Sequence, residues 1–218
     1  MSDTSQGLDV LWRRTEALTA LYSTLGLSAP LPPLGDWAID PLFGVCLVNV
    51  VLDCRPGPRV VVECGSGAST VIAAATLRRH GIDGHVTSLE SDPVYADVTR
   101  GYLRRHDLER FATVHTAPLI EGDHGFGVWY DTAALGSLAG GVDLLVVDGP
   151  PTAGASPTAR GPALDVVCDR LAPGARVLVD DALRPGEQEV MVRWGRDHPD
   201  VEFAYLLTQN GAALGVKR

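Results

Sequence analysis

The stretch Val60-Val61-Val62-Glu63-Cys64-Gly65-Ser66-Gly67-Ala68-Ser69-Thr70 decides the fold. Three consecutive valines form an apolar run of the kind buried on both faces in the middle of a parallel sheet. The run ends at glycines, which let the backbone turn and approach a ligand with no Cβ in the way. Beyond them a helical pattern runs from Ser69 to His80, and Ser69 or Thr70 can cap its start. Strand, glycine turn and helix in this order leave the helix's first N–H groups without internal partners beside a strand end, where a ligand's polar groups can be held.

Working outward, the same alternation repeats. Strands are predicted over Arg59 to Glu63, His85 to Glu90, Ala112 to His115, Asp143 to Asp148, Ala175 to Asp180, Glu202 to Leu206 and Ala213 to Val216. Helical patterns fall at Ser69 to His80, Pro93 to Arg104, Pro162 to Leu171 and Glu187 to Asp197, with Gly81, Gly84, Pro173-Gly174 and Pro199 as stops. This is an α/β chain with a doubly wound, seven-stranded, mostly parallel sheet and helices on both faces. Asn210-Gly211, a favoured hairpin turn, joins the last two strands and makes an antiparallel edge. Upstream, Leu8 to Leu25 and Pro41 to Leu52 read as two helices joined by the link Ala29 to Gly35. Residues 1–40 are thus expected to be a helical extension, serving as a lid or a dimer contact, and residues 41–218 the main domain. Gly149 to Pro162 reads as one long loop.

Composition narrows the partners. At 218 residues the chain can bury one sizeable core. A net charge of −9 argues against nucleic acid, which would need a basic stripe. No apolar run approaches the roughly 18 to 20 residues of a membrane span, and the N-terminus carries acids before its apolar positions and lacks a basic n-region with a small-residue cleavage site, so a cytoplasmic protein is expected. Lys217 is the only lysine, which discards a lysine base. Cys46, Cys54, Cys64 and Cys168 form no CxxC pair and read as reduced, apolar thiols, with no zinc site expected.

A glycine turn of this kind also suits a dinucleotide, but that fingerprint wants a third small residue where this chain has Thr70. Glu63, just before the turn, contributes nothing obvious to a pyrophosphate and would welcome the ammonium of an amino acid. One strand later, Thr87-Ser88-Leu89-Glu90-Ser91-Asp92 places Glu90 where ribose hydroxyls would lie, and a carboxylate can accept both protons. Two acids then bracket one adenosyl-amino-acid pocket.

Together with His115-Thr116-Ala117-Pro118-Leu119, Val146-Val147-Asp148-Gly149-Pro150-Pro151 and Val179-Asp180-Asp181-Ala182, these segments resemble the class I S-adenosylmethionine-dependent methyltransferases. The resemblance covers residues 40–218 and is nearest the small bacterial branch related to catechol O-methyltransferase. It implies a Rossmann-like sheet of order 3-2-1-4-5-7-6 with strand seven antiparallel. It also implies a cofactor set of Glu63, Gly65, Ser66, Gly67, Ser69, Thr70, Glu90, Ser91, Ala117 and Asp148, with Glu63 at the methionine end, Glu90 on the ribose and Ala117 beside the adenine.

Asp148 closes the fourth strand and Asp180-Asp181 the fifth, so all three emerge on the carboxyl edge where such folds place ligands. Converging carboxylates repel unless a cation or a proton relieves them, and hard divalent ions prefer such oxygens. The other reading gives Asp148 to the cofactor, Asp180 to a cap and Asp181 to solvent. In the family the resemblance names, such acids hold Mg²⁺, which binds the acceptor's hydroxyl oxygen. The lysine base those enzymes often carry is replaced here by Gly149-Pro150-Pro151, leaving an aspartate, His124 or a metal-bound hydroxyl to serve. Asp148, Asp180 and His124 are therefore the catalytic candidates.

The expected activity is O-methylation of a small hydroxylated metabolite, with N-methylation a close variant. A non-catalytic adenosylmethionine-binding domain and an NAD(P)-dependent oxidoreductase are the alternatives. Other residues are assigned blander roles: His115 packed at an edge, His80, His85, His106 and His198 solvated, Trp129-Tyr130 core before an apolar helix, Trp194 core, and Arg160 and Arg184 exposed on loops at the site's rim.

Overall fold

The computed structural model describes residues 3–35, 37–54, 57, 59–122, 127–138, 141–151 and 156–218. Its first two helices are α1 (Asp3–Leu25) and α2 (Pro41–Asp53). There follow β1 (Arg59–Cys64), α3 (Ala68–Arg79), β2 (Gly84–Glu90), α4 (Pro93–Arg105), β3 (Ala112–Thr116), β4 (Leu119–Glu121) and β5 (Val128–Tyr130). The chain continues through β6 (Val142–Val147), α5 (Pro162–Val167), β7 (Leu171–Asp180), α6 (Pro185–Asp197), β8 (Val201–Leu206) and β9 (Ala212–Lys217).

Seven strands form one sheet in the order β3-β2-β1-β6-β7-β9-β8. With the short pair β4-β5 set aside, this is the expected order, and β9 runs antiparallel to both β7 and β8. Alternating side chains feed two cores. Val61, Val86, Leu144, Val146 and Leu178 pack under α1 to α4, while Val62, Leu89, Leu145, Val147, Val177 and Val179 pack under α5 and α6. The inner strands are therefore apolar on both faces, as the valine run requires.

Local chemistry sets the helix starts. Asp40 caps α2, its Oδ1 accepting from the N–H groups of Leu42 at 2.7 Å and Phe43 at 3.0 Å, with Pro41 in the first turn. Asp92 caps α4 in the same way, accepting from the Val94 N–H at 2.7 Å. The inner residues of α1, Ala17, Leu21 and Leu25, are buried, whereas Leu8, Leu11 and Trp12 are exposed. No helix among the described residues is long and apolar enough to cross a membrane.

Four sequence expectations change. The helix expected to run to Leu171 ends at Val167, a single 3-10 turn covers Cys168–Arg170, and the strand already begins at Leu171. A register shift between Val142 and Leu144 takes up Pro173-Gly174, so a proline read as a stop lies inside a bulged strand. Trp129 and Tyr130 are buried as expected but belong to β5, a strand of the small hairpin, and a short 3-10 helix (Ala133–Ser137) follows. His106 is buried rather than solvated, with Nε2 3.1 Å from the carbonyl of Pro30.

Candidate active site

The carboxyl ends of β1, β2, β6 and β7 meet in one region. Beyond the strand ends the ladder continues: Gly65 N–H donates to the Leu89 carbonyl, Asp148 N–H to the Cys64 carbonyl and Ala117 N–H to the Glu90 carbonyl. These bonds draw the glycine turn, Glu90, Ala117 and Asp148 together. Gly65 has φ +96°, and a Cβ there would lie 3.2 Å from the Gly149 nitrogen, so the turn needs glycine for both conformation and space. A Cβ on Gly67 would meet nothing within 4 Å, which leaves an open face at the start of α3.

Glu63 is 1% exposed. Its Oε2 accepts from the Thr70 hydroxyl at 2.5 Å, and that hydroxyl in turn accepts from the Gly67 N–H at 3.0 Å. Thr70 thus ties the turn to the strand, with its hydroxyl spent inside the protein. Glu63 Oε1 is buried without a hydrogen-bond partner among the described residues. Burial pushes its carboxyl up from 4.5 to about 7, against the lowering influence of the nearby Ser69, Thr70 and Ser88 hydroxyls, and the nearby Glu90 adds to the rise. A cationic group placed against Oε1 would relieve that penalty.

Glu90 holds the other side of the turn. Its Oε2 accepts from both the N–H and the hydroxyl of Ser66 at 3.0 Å, and Oε1 accepts from the Asp92 N–H at 3.0 Å. Ser88 donates its hydroxyl to the Gly65 carbonyl at 2.6 Å. The region therefore combines an open glycine turn, an unpaired buried carboxylate oxygen and a second carboxylate one strand away. Ser91 follows Glu90 directly, and Ala117 is buried at the end of β3.

The three aspartates converge. One carboxylate oxygen each from Asp148, Asp180 and Asp181 lie within 4.8 Å of one another. Asp180 and Asp181 are both buried, and Oδ1 of each has no hydrogen-bond partner among the described residues. Burial raises the Asp180 carboxyl to about 7, with Asp181 pushing further and Arg160 opposing. The Asp148 carboxyl is raised well above the usual range by burial and then by Asp180, against Arg160. Asp181 has φ +60°, a left-handed conformation uncommon for a side-chain-bearing residue. Free oxygens, close spacing and excess negative charge all suit a hard divalent cation, so the residues present fit one.

Arg160, expected to be an exposed loop residue, is instead 4% exposed in the middle of this cluster. Its Nη1 donates to the Asp180 carbonyl at 3.1 Å and its Nη2 to Asp181 Oδ2 at 3.2 Å, with Asp148 Oδ1 at 3.7 Å. Its Nε lies 3.6 Å from Glu187 Oε1, and Glu187 is also buried. Arg184 is at the rim as expected, its side chain 44% exposed and 2.9 Å from Asp181 Oδ2. Sequence reasoning missed the enclosure of Arg160 and the role of Glu187 because their partners lie on other elements; three aspartates on the strand ends with no lysine among them were the available hint of an internal cation. His124 lies outside the described residues.

Cys168, His198 and Asp200 also bring ligand atoms within 4.8 Å. That group is already served: Lys217 Nζ lies 3.6 Å from Asp200, and His198 Nε2 lies 2.7 Å from Asp165. His198 is accordingly held in a polar network rather than merely solvated.

Residues 62–182, more than half the chain, match the family model described as a methyltransferase domain. No curated protein matches in sequence. Solved structures share the fold. An O-methyltransferase from Bacillus cereus, in complex with S-adenosylhomocysteine, is 19% identical, covers 94% of this chain and 90% of its own, and has a TM-score of 0.59. The O-methyltransferase TomG of Streptomyces achromogenes, involved in tomaymycin synthesis and in complex with S-adenosylmethionine, is 16% identical over 100% and 99%, with a TM-score of 0.63. The S-adenosylhomocysteine-bound methyltransferase PaMTH1 of Podospora anserina is 15% identical over 100% and 97%, with a TM-score of 0.64.

Proposed function

The chain belongs to the methyltransferase-domain family, and on that premise we propose that it transfers the methyl group of S-adenosylmethionine to a hydroxyl oxygen of a small acceptor, with a divalent cation held by Asp148, Asp180 and Asp181. The observation that carries this reading is the pairing of two features on one sheet edge. One is the glycine turn with the unpaired Glu63 Oε1; the other is the aspartate cluster with the unpaired Oδ1 atoms of Asp180 and Asp181.

In this reading the methionine ammonium lies against Glu63, Glu90 takes the ribose hydroxyls, Gly65 to Gly67 let the ligand approach the turn, and Ala117 flanks the adenine. Both Glu90 oxygens already accept N–H bonds, so the ribose would share or displace the Ser66 hydroxyl. Methyl transfer needs the acceptor oxygen in line with the sulfonium carbon and, if protonated, made more acidic. A bound Mg²⁺ would supply that acidity as a Lewis acid. Asp148, Asp180 and Asp181 would then orient the acceptor by holding the ion, and a carboxylate oxygen of Asp148 or Asp180 not turned to the ion would take up its proton. Deprotonation and transfer balance: the oxygen gains the methyl, the proton passes to a carboxylate, and S-adenosylhomocysteine leaves.

Thermal stability with S-adenosylmethionine, S-adenosylhomocysteine, NAD or NADP, each with and without Mg²⁺, tests the cofactor, since a ligand of the native state raises its stability. Stabilisation by the adenosyl ligands alone is expected. Stabilisation by NAD or NADP instead would favour an oxidoreductase. Formation of S-adenosylhomocysteine with a panel of phenols and alcohols then tests turnover, and a protein that binds the cofactor but methylates none would be a binding domain. EDTA should abolish turnover and Mg²⁺ restore it; full activity in EDTA removes the ion.

A further inference from the structure

Arg160 stands where a cation's charge is wanted. Its guanidinium touches two of the three carboxylates in the cluster, Asp181 at 3.2 Å and Asp148 at 3.7 Å, and is fixed from behind by the Asp180 carbonyl and by Glu187. The formal charge of the group is set by four carboxylates, those of Asp148, Asp180, Asp181 and Glu187, against two guanidiniums, Arg160 and Arg184. With all four carboxyls ionised, two negative charges remain, and one divalent ion matches them. Arg184 is partly solvated and can follow Asp181, but Arg160 is enclosed and cannot withdraw.

Resting on the ion reading above, we propose that Arg160 is a positioning residue and resident counter-ion: it holds Asp148 and Asp181 in place before the ion arrives and, by repelling it, keeps its binding weak and reversible. Glu187 acts in the opposite direction. It anchors Arg160 and offsets part of its charge, so the pair sets the cluster's affinity for a cation. Both Glu187 oxygens are buried with no hydrogen-bond partner among the described residues, which is consistent with a carboxylate kept for its charge rather than for a hydrogen bond.

The test is Mn²⁺ binding to the full chain without cofactor, measured by electron paramagnetic resonance and calorimetry for the wild type, Arg160→Met, Arg160→Lys and Glu187→Gln. A charge a few ångströms from a site changes the binding of another charge by about tenfold or more. Arg160→Met is expected to bind Mn²⁺ about tenfold more tightly, Arg160→Lys close to wild type, and Glu187→Gln more weakly. Opposite signs at two packed residues are not what a merely structural role gives. Wild-type binding with Arg160→Met equal or weaker overturns the counter-ion role and leaves the ion reading standing. Should Arg160→Met fail to fold, Glu187→Gln decides, and equal or tighter binding there overturns the proposal. No Mn²⁺ binding by any of the four refutes the ion reading and this inference together.

Discussion

Replacing Glu63 with glutamine should alter the pH dependence of stability by an amount the structure sets. The Glu63 carboxyl is raised from 4.5 to about 7, mainly by burial. The folded protein therefore keeps this proton across the window from 4.5 to about 7, where the unfolded chain has released it. The stability it contributes is fully present below 4.5 and is lost as pH rises through about 7. At about 1.4 kcal/mol per pH unit, that loss comes to about 3 kcal/mol. Glutamine does not titrate and can still accept the Thr70 hydroxyl. Between about pH 4.5 and about pH 8, the stability of Glu63→Gln relative to wild type should thus improve by about 3 kcal/mol, equivalent to about 6 to 12 °C in Tm. Asp180 titrates in both proteins and cancels in the difference, while Asp148 loses only the push from Glu63, the smallest of the influences on it. Urea unfolding at the two pH values measures it, and pH-independent costs of the amide also cancel. A relative stability that is unchanged across the window would refute the assignment of Glu63 as a buried, penalised carboxyl.

Other outcomes follow from neighbouring geometry. Glu90→Ala removes the acceptor of the Ser66 N–H and hydroxyl and of the Asp92 N–H, and should cost about 1 to 3 kcal/mol in stability. It should also weaken S-adenosylmethionine binding at least about tenfold by calorimetry, whereas unchanged affinity would take the ribose away from Glu90. Gly149→Ala places a Cβ 2.3 Å from the Tyr130 hydroxyl oxygen and 3.0 Å from the Gly65 Cα. It should destabilise by about 1 to 3 kcal/mol in urea and disturb the glycine turn, and a variant as stable as wild type would contradict that close approach.

The parts legible in the sequence were those with a local physical cause. Val60 to Val62 announced an inner strand because a residue buried on both sheet faces leaves no polar alternation to find. Asp92-Pro93 and Asp40-Pro41 mark helix starts because cap and first turn are neighbours in the chain. The strand order, by contrast, came from resemblance to a family. Elements that depend on partners elsewhere stayed hidden. The early start of β7 depends on its pairing with Val142, and the hairpin of β4 and β5 has too few residues to show a period. His106 is buried where it meets the carbonyl of Pro30, which arrives from the N-terminal link. At the site, the acids were visible as strand-end residues, yet the guanidinium among them was not. An arginine between Ala159 and Gly161 has no local pattern that distinguishes a solvated side chain from an enclosed one.

Asp40 joins parts of the chain far apart in sequence. One oxygen caps α2, and the other accepts the N–H of Gln209, 169 residues away, in the loop between β8 and β9. The cap and the C-terminal loop thus share a single carboxylate, so an opening that frees one unsettles the other. Amide hydrogen exchange would then register Leu42, Phe43 and Gln209 as one cooperative unit with a common opening free energy, and losing Asp40 would split that unit.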